Sequence, residues 1–219
     1  MQATRAPDSS LHCTAMSRVL SQEEVEAILQ LQNFDPDELD EETAAFAGRG
    51  KDIWTLWPHC QQSKVPMKAS TLALEKIRKV LSALDTCPAC SLPPTDHRVH
   101  EVEMFRYTGA GAACTTHKDT EMDKVSVPLK QQGAVMCCLR QQCQGGILHV
   151  GRRICGRIVC RTGGGPQDIA RDAIAVIMEP GDVCMIANVD HLVTRVASGS
   201  RSVLTARVSC PELSRRNKR

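Results

Sequence analysis

Eight short apolar or alternating runs crowd the chain between residues 97 and 210: HRVHEVEMFRY, VSVPL, AVMCCLR, GILHV, RRICGRIVC, AIAVIM, DVCMIAN and SVLTARVSC. Glycine-rich or polar turns separate them. Alternating side chains on a strand give one apolar face every second residue. Many short strands joined by tight turns predict an antiparallel barrel or a double-sheet jelly roll. Only 3% of the residues are aromatic, so the core of such a body must come from Val, Ile, Leu, Ala, Met and Cys.

The first part of the chain reads differently. Residues 1–16 are polar and unpatterned and predict a flexible tail. Ser21 precedes Glu24 by three positions, a capping-box spacing, and Val25, Ile28 and Leu29 then share one helical face. Asp35 to Glu42 holds six acidic residues and reads as a solvated loop. Trp54 and Trp57 are expected to anchor this layer on the rest of the fold. A second helix is predicted from about Met67 to Leu84, with Leu74, Ile77, Leu81 and Leu84 facing the core. Pro88, Pro93 and Pro94 end it. The expected organisation is a tail at 1–16 and a helical extension at 17–96. A mainly β domain follows at 97–213, with a basic tail at 214–219.

Composition narrows the function classes. In 219 residues, 27 basic and 25 acidic side chains leave a net charge of +2, which argues against a globally basic nucleic-acid binder. The longest apolar runs fall short of a membrane span, and the N-terminus lacks the apolar centre of a signal peptide. An intracellular protein, cytoplasmic or nuclear, is therefore expected. Its twelve cysteines then read as reduced, mostly buried side chains.

Three features of the β-rich half carry chemistry. His117-Lys118-Asp119 is an H-x-D pair, and on extended backbone residues i and i+2 point to the same side. His191 follows 74 residues later. Two imidazoles and one carboxylate leave three positions of an octahedral metal open, the facial triad of non-haem Fe(II) oxygenases. Arg201, ten residues beyond His191, suits bidentate capture of a carboxylate. H-x-D alone is a weak signal. The ordered set is far more specific: Tyr107, His117-x-Asp119, Gly145-Gly146-Ile147-Leu148, Pro180-Gly181-Asp182, His191 and Arg201, each beside a predicted strand.

That set resembles the Fe(II)- and 2-oxoglutarate-dependent dioxygenase superfamily, and within it the prolyl 4-hydroxylase branch. RYTGAGAACTTHKD is similar to the branch's Y-x-G-x-G…H-x-D segment. AVMCCLRQQCQGGILHV resembles its G-G-x-L strand pair, and EPGDVCMIANVDHLVTRVASGSR its P-G-D…H-x-V…V-x-x-G-x-R segment. The likeness covers roughly residues 98–210, and 17–33 loosely. It implies a double-stranded β-helix, jelly roll or cupin-like, buttressed by helices. It also implies hydroxylation of an unactivated C–H, best read as a prolyl residue of a protein or peptide. 2-Oxoglutarate would leave as succinate and CO2. The implied cofactors are Fe(II), 2-oxoglutarate and O2, with ascorbate as reductant. His117, Asp119 and His191 would bind iron, and Arg201 the 5-carboxylate of 2-oxoglutarate. Tyr107 would point into the pocket. Asp119 favours hydroxylation over halogenation, because halogenating relatives carry a small residue there.

Two departures stand out. Cys137 and Cys138 occupy the run where oxygen-sensing relatives place an aromatic residue that helps hold 2-oxoglutarate. An insertion at 151–172 carries Arg152, Arg153, Arg157 and Arg161, and reads as a substrate-facing flap or a solvated loop. Three other functions compete. Arg201 and Arg207 form an R-x5-R pattern seen in nucleic-acid demethylases, although few aromatics are present to stack a flipped base. Cys87-x2-Cys90-x6-His97-x2-His100 has ligand-like spacing for a zinc-binding interaction module. The third is a non-catalytic scaffold. Cys114 reads as a packing residue, and His149 as a surface or lumen-lining histidine.

Overall fold

A computed structural model describes residues 13–38, 50–58, 64–109, 111–117, 132–151, 173–187, 189 and 191–210. Ten strands and two α-helices occur among them. The strands are β1 (Cys13–Met16), β2 (Lys51–Trp57), β3 (Arg98–Thr108), β4 (Cys114–His117) and β5 (Gln132–Gly145), then β6 (Leu148–Gly151), β7 (Ala173–Val176), β8 (Val183–Ala187), β9 (His191–Val193) and β10 (Val196–Ser209). The helices are α1 (Gln22–Leu29) and α2 (Met67–Ala83). A six-stranded sheet runs β1-β8-β5-β10-β3-β2, and a four-stranded sheet runs β4-β9-β6-β7. Every described pairing is antiparallel. Two facing sheets with helices outside the larger one are the helix-buttressed jelly roll that the strand runs predict.

Two cores explain why several strands read as continuous apolar runs. On β5, Val135, Cys137 and Leu139 join the core beneath the helices, while Ala134, Met136 and Cys138 join the core between the sheets. On β8, Val183 and Met185 go one way and Cys184 and Ile186 the other. A strand covered on both faces needs apolar residues at consecutive positions, so its period-2 signal vanishes. β10 follows the same rule, with Leu204, Ala206 and Val208 under the helices and Val196 and Val203 between the sheets.

The helical layer forms as its sequence signals predict. Ser21 Oγ accepts the Glu24 backbone N–H at 3.3 Å, and Glu24 Oε2 accepts the Ser21 N–H at 2.9 Å. Glu24 also binds Lys76 at 3.0 Å and Lys79 at 2.6 Å, tying α1 to α2. The α2 face bearing Leu74, Ile77, Val80 and Leu81 is buried. Trp54 is fully buried, and its indole N–H donates to the Phe34 carbonyl at 2.9 Å.

Several expectations are corrected. Cys13–Met16, expected in a flexible tail, pairs with β8 as an edge strand. The extension at 17–96 is not purely helical, since KDIWTLW pairs with β3. Both edges exist only through ladders to distant residues, which short-range patterning does not register. Asp37, expected in a solvated loop, donates its backbone N–H to the Ile53 carbonyl, and its carboxylate accepts the Thr55 N–H. The runs VSVPL and RRICGRIVC, the insertion at 152–172 and the basic tail at 214–219 lie outside the described residues. No described helix is long and apolar enough to cross a membrane.

Candidate active site

The four-stranded sheet positions the distal histidine. His191 opens β9 and lies opposite His117 of β4 on one side and Val150 of β6 on the other. Val150 and Val193 both belong to the core between the sheets, and His191 shares its strand face with Val193. The imidazole is therefore directed into the sandwich, and it is only 4% exposed. Its Nδ1 is 3.0 Å from the Val189 carbonyl. A carbonyl only accepts, so Nδ1 carries the proton and Nε2 the lone pair of the neutral ring. This is the arrangement that backbone partners impose on metal-binding histidines. The backbone of His117 is placed by its opposition to His191. Asp119 lies outside the described residues.

The six-stranded sheet supplies the cation. Arg201 on β10 lies opposite Tyr107 of β3 and Gln141 of β5. It is 2% exposed, and its guanidinium carbon is 5.4 Å from the centre of the Tyr107 ring. Its Nη1 is buried without a hydrogen-bond partner among the described residues. A buried guanidinium that lacks a counter-charge costs several kcal/mol. An anion would offset that cost, and a carboxylate matches the planar fork of donors. Gly146 allows the arginine this close: a Cβ there would sit 3.0 Å from Arg201 Cδ, on a backbone at φ +66°.

The surroundings keep other groups neutral. Burial raises the Tyr107 phenol above its ordinary range, so it stays a hydrogen-bond donor. Burial also pushes the Cys138 thiol up to about 11. Of the two adjacent cysteines only Cys138 faces the core between the sheets; Cys137 faces the helices. Cys138 Sγ lies 3.6 Å from the Met178 carbonyl. Cys138 thus places a protonated thiol in the core between the sheets, a weaker donor than a phenol.

Other sequence-singled residues have structural explanations. Asp182 of P-G-D accepts the backbone N–H of Arg18 and of Glu179, each at 2.9 Å, and so locks the turn entering β8. Arg207 of the R-x5-R pair is bound to Glu101 at 3.2 Å. His149 is buried, as Leu148 and Val150 are, but alternates with them and lies on the opposite face of β6 from the inter-sheet core. Cys114 is buried in the inter-sheet core, as a packing residue should be. A concavity of about 630 Å3 opens between α1 and α2, beyond the six-stranded sheet, and its lining joins Ala27, Phe34 and Leu72 to the polar Lys68, Thr71 and Glu75 but includes none of the predicted site residues. Sequence reading did not find β4 and β9, the short strands that set the two histidines opposite each other. Runs of four and three residues carry too little periodicity to be seen.

No family model matches the sequence, and no curated protein does. Solved structures do. An oxidoreductase of the 2OG-Fe(II) oxygenase family from Burkholderia pseudomallei aligns over 90% of this chain and 85% of its own, with a TM-score of 0.60 and 16% identity. HygX from Streptomyces hygroscopicus, solved with nickel and 2-oxoglutarate bound, aligns over 93% and 84%, with a TM-score of 0.58 and 14% identity. A prolyl hydroxylase from Trichoplax adhaerens is a third match. It was solved with a peptide fragment of the hypoxia inducible factor oxygen degradation domain, and aligns over 90% and 83%, with a TM-score of 0.53 and 12% identity. At these identities the likeness is one of architecture: the chain has the double-stranded β-helix fold of the 2-oxoglutarate–Fe(II) oxygenases.

Proposed function

We propose that this chain is an Fe(II)- and 2-oxoglutarate-dependent oxygenase, and that it hydroxylates a prolyl residue of a protein or peptide. The observation that supports this most is Arg201, a buried guanidinium whose Nη1 has no partner among the described residues, in a largely apolar core. The far carboxylate of 2-oxoglutarate has the charge and geometry to fill that gap. His191 fits an iron ligand, because the Val189 carbonyl fixes the tautomer that ligation requires. His117 stands opposite it in register, and we assign it and Asp119 as the other two ligands.

Bound iron with 2-oxoglutarate supplies the oxidising chemistry, and ascorbate keeps the metal ferrous. The chain binds and orients. Arg201 holds the distal carboxylate through paired N–H donors. Tyr107, protonated and beside Arg201, donates into the same end of the pocket. The apolar walls from Met136, Val150, Val193 and Val203 exclude water and strengthen those contacts. The prolyl assignment draws support from the Trichoplax enzyme, whose structure contains a peptide. Incubation with proline-containing peptides, Fe(II), 2-oxoglutarate and ascorbate tests both levels. Succinate release with one added oxygen on proline is expected. Succinate with oxygen on another residue type would overturn only the prolyl assignment. Absence of succinate under every condition would overturn the oxygenase reading.

A further inference from the structure

Far from the inter-sheet core, four ligand-type side chains from three parts of the chain meet. Cys87 and Cys90 lie in the turn after α2, His97 just before β3, and Cys210 just after β10. One ligand atom from each lies within 4.8 Å of all the others. Cys87 Sγ is 3.8 Å from Cys210 Sγ, and Cys90 Sγ is 3.7 Å from His97 Nε2. A tetrahedral zinc with Zn–S of about 2.3 Å and Zn–N of about 2.0 Å has ligand-to-ligand edges of about 3.5–3.8 Å. We propose that Cys87, Cys90, His97 and Cys210 form a structural zinc site that fastens the helical layer to the end of the central strand β10.

The turn is built before any ion enters. The Cys87 N–H donates to the Leu92 carbonyl and the Ser91 N–H to the Cys87 carbonyl, each at 2.8 Å. Ser91 sits at φ +59°, which lets the chain double back. The Ala89 N–H points at Cys87 Sγ from 3.3 Å, the kind of main-chain donor that stabilises a thiolate. Contacts with Cys210, His97 and this N–H draw the Cys87 thiol down to about 4, while the same contact with Cys87 drives Cys210 up.

Three sulfurs and one imidazole make a closed, soft, four-ligand set that suits zinc and leaves no open position for catalysis. The ligand atoms are also too close together to serve different irons of a cluster. Cys87, Cys210 and His97 are almost fully buried, and Cys87 and Cys210 belong to the core beneath the helices. Cys210 lies nine residues beyond Arg201, roughly 30 Å along the strand, so the two sites are separate. The fourth ligand also corrects the sequence reading. His100, the expected partner, instead meets Ser209 Oγ at 2.7 Å. Cys210, 123 residues from Cys87, takes its place.

Metal analysis of the full chain and of His191→Ala, purified from zinc-supplied cells, tests the site without counting the oxygenase metal. Both should hold about one zinc per chain, as should His100→Ala. Cys87→Ala and Cys210→Ser should hold less than about a tenth of that. Because those variants risk misfolding, the intact chain is also loaded with Co(II). Thiolate-to-cobalt charge transfer with tetrahedral visible bands is expected. Zinc lost in His191→Ala, zinc lost in His100→Ala but kept in Cys210→Ser, or a zinc-free chain without the cobalt signature would each overturn the proposal.

Discussion

The two ends of β10 bury polar groups in opposite ways. At one end Arg201 is enclosed, and its Nη1 has no partner among the described residues. At the other, Cys210 ends in a cluster whose members contact one another. A buried guanidinium with a donor left over suits a ligand from outside, as an exchangeable cosubstrate would be. A self-complementary cluster of soft donors calls for an ion that enters once and stays. On the two proposals above, the same strand, between the same cores, would separate an exchangeable site from a permanent one.

The largest expected effects lie at the exchangeable end. His191→Ala should reduce iron-dependent turnover to background in a succinate assay, and so should His117→Ala or Asp119→Ala. Arg201→Met should raise the 2-oxoglutarate requirement by about 100-fold, because truncating a buried charge partner costs about 2–5 kcal/mol. Removing a buried charge whose Nη1 has no partner among the described residues should leave stability equal or higher, as judged by urea unfolding without cosubstrate. A marked loss of stability in Arg201→Met would break the contrast, since it would show that the arginine is already satisfied.

At the permanent end the pattern reverses. Cys210→Ser should cost on the order of 4 kcal/mol of stability through loss of the metal. Where the variant remains folded, its 2-oxoglutarate requirement should be close to wild type. Unfolding curves paired with cosubstrate titrations check this.

The smallest effects belong to the helical layer, whose polar contacts lie near the surface. Ser21→Ala should cost about 1 kcal/mol by loss of the cap. Glu24 is held at a pKa of about 2, chiefly by Lys79 and then by the Ser21 N–H. Its unfolded value is about 4.3, so the folded state holds the proton less tightly. The stabilisation is complete above that value and is lost as pH falls toward 2. The stability gap between wild type and Glu24→Gln should therefore close over that interval, in thermal melts taken at stepped pH.

Legibility in the sequence followed the range of each interaction. The capping box at Ser21 and Glu24, the α2 stripe through Leu74, Ile77 and Leu81, and the runs behind β3, β5, β8 and β10 depend on neighbours or on burial alone. All were readable. β1 and β2 are strands because β8 and β3 lie beside them, and no local pattern announces that. The site divides in the same way. Arg201 and His191 stand out through motif order, but that Nη1 finds no partner among the described residues is a property of the packed core. Cys210 was invisible as a partner of Cys87 because only the folded sheet brings residues so distant in sequence together.

The central claim is that an imidazole from the four-stranded sheet and a guanidinium from the six-stranded sheet serve one iron–2-oxoglutarate chelate. Anaerobic titration of the purified chain with Fe(II) and then 2-oxoglutarate tests it most directly, by following the visible charge-transfer band of the chelate. The account predicts a saturable band, absent from His191→Ala and shifted to much higher 2-oxoglutarate concentration in Arg201→Met. No band in the wild-type chain, or an Arg201→Met titration that overlays it, would contradict the account.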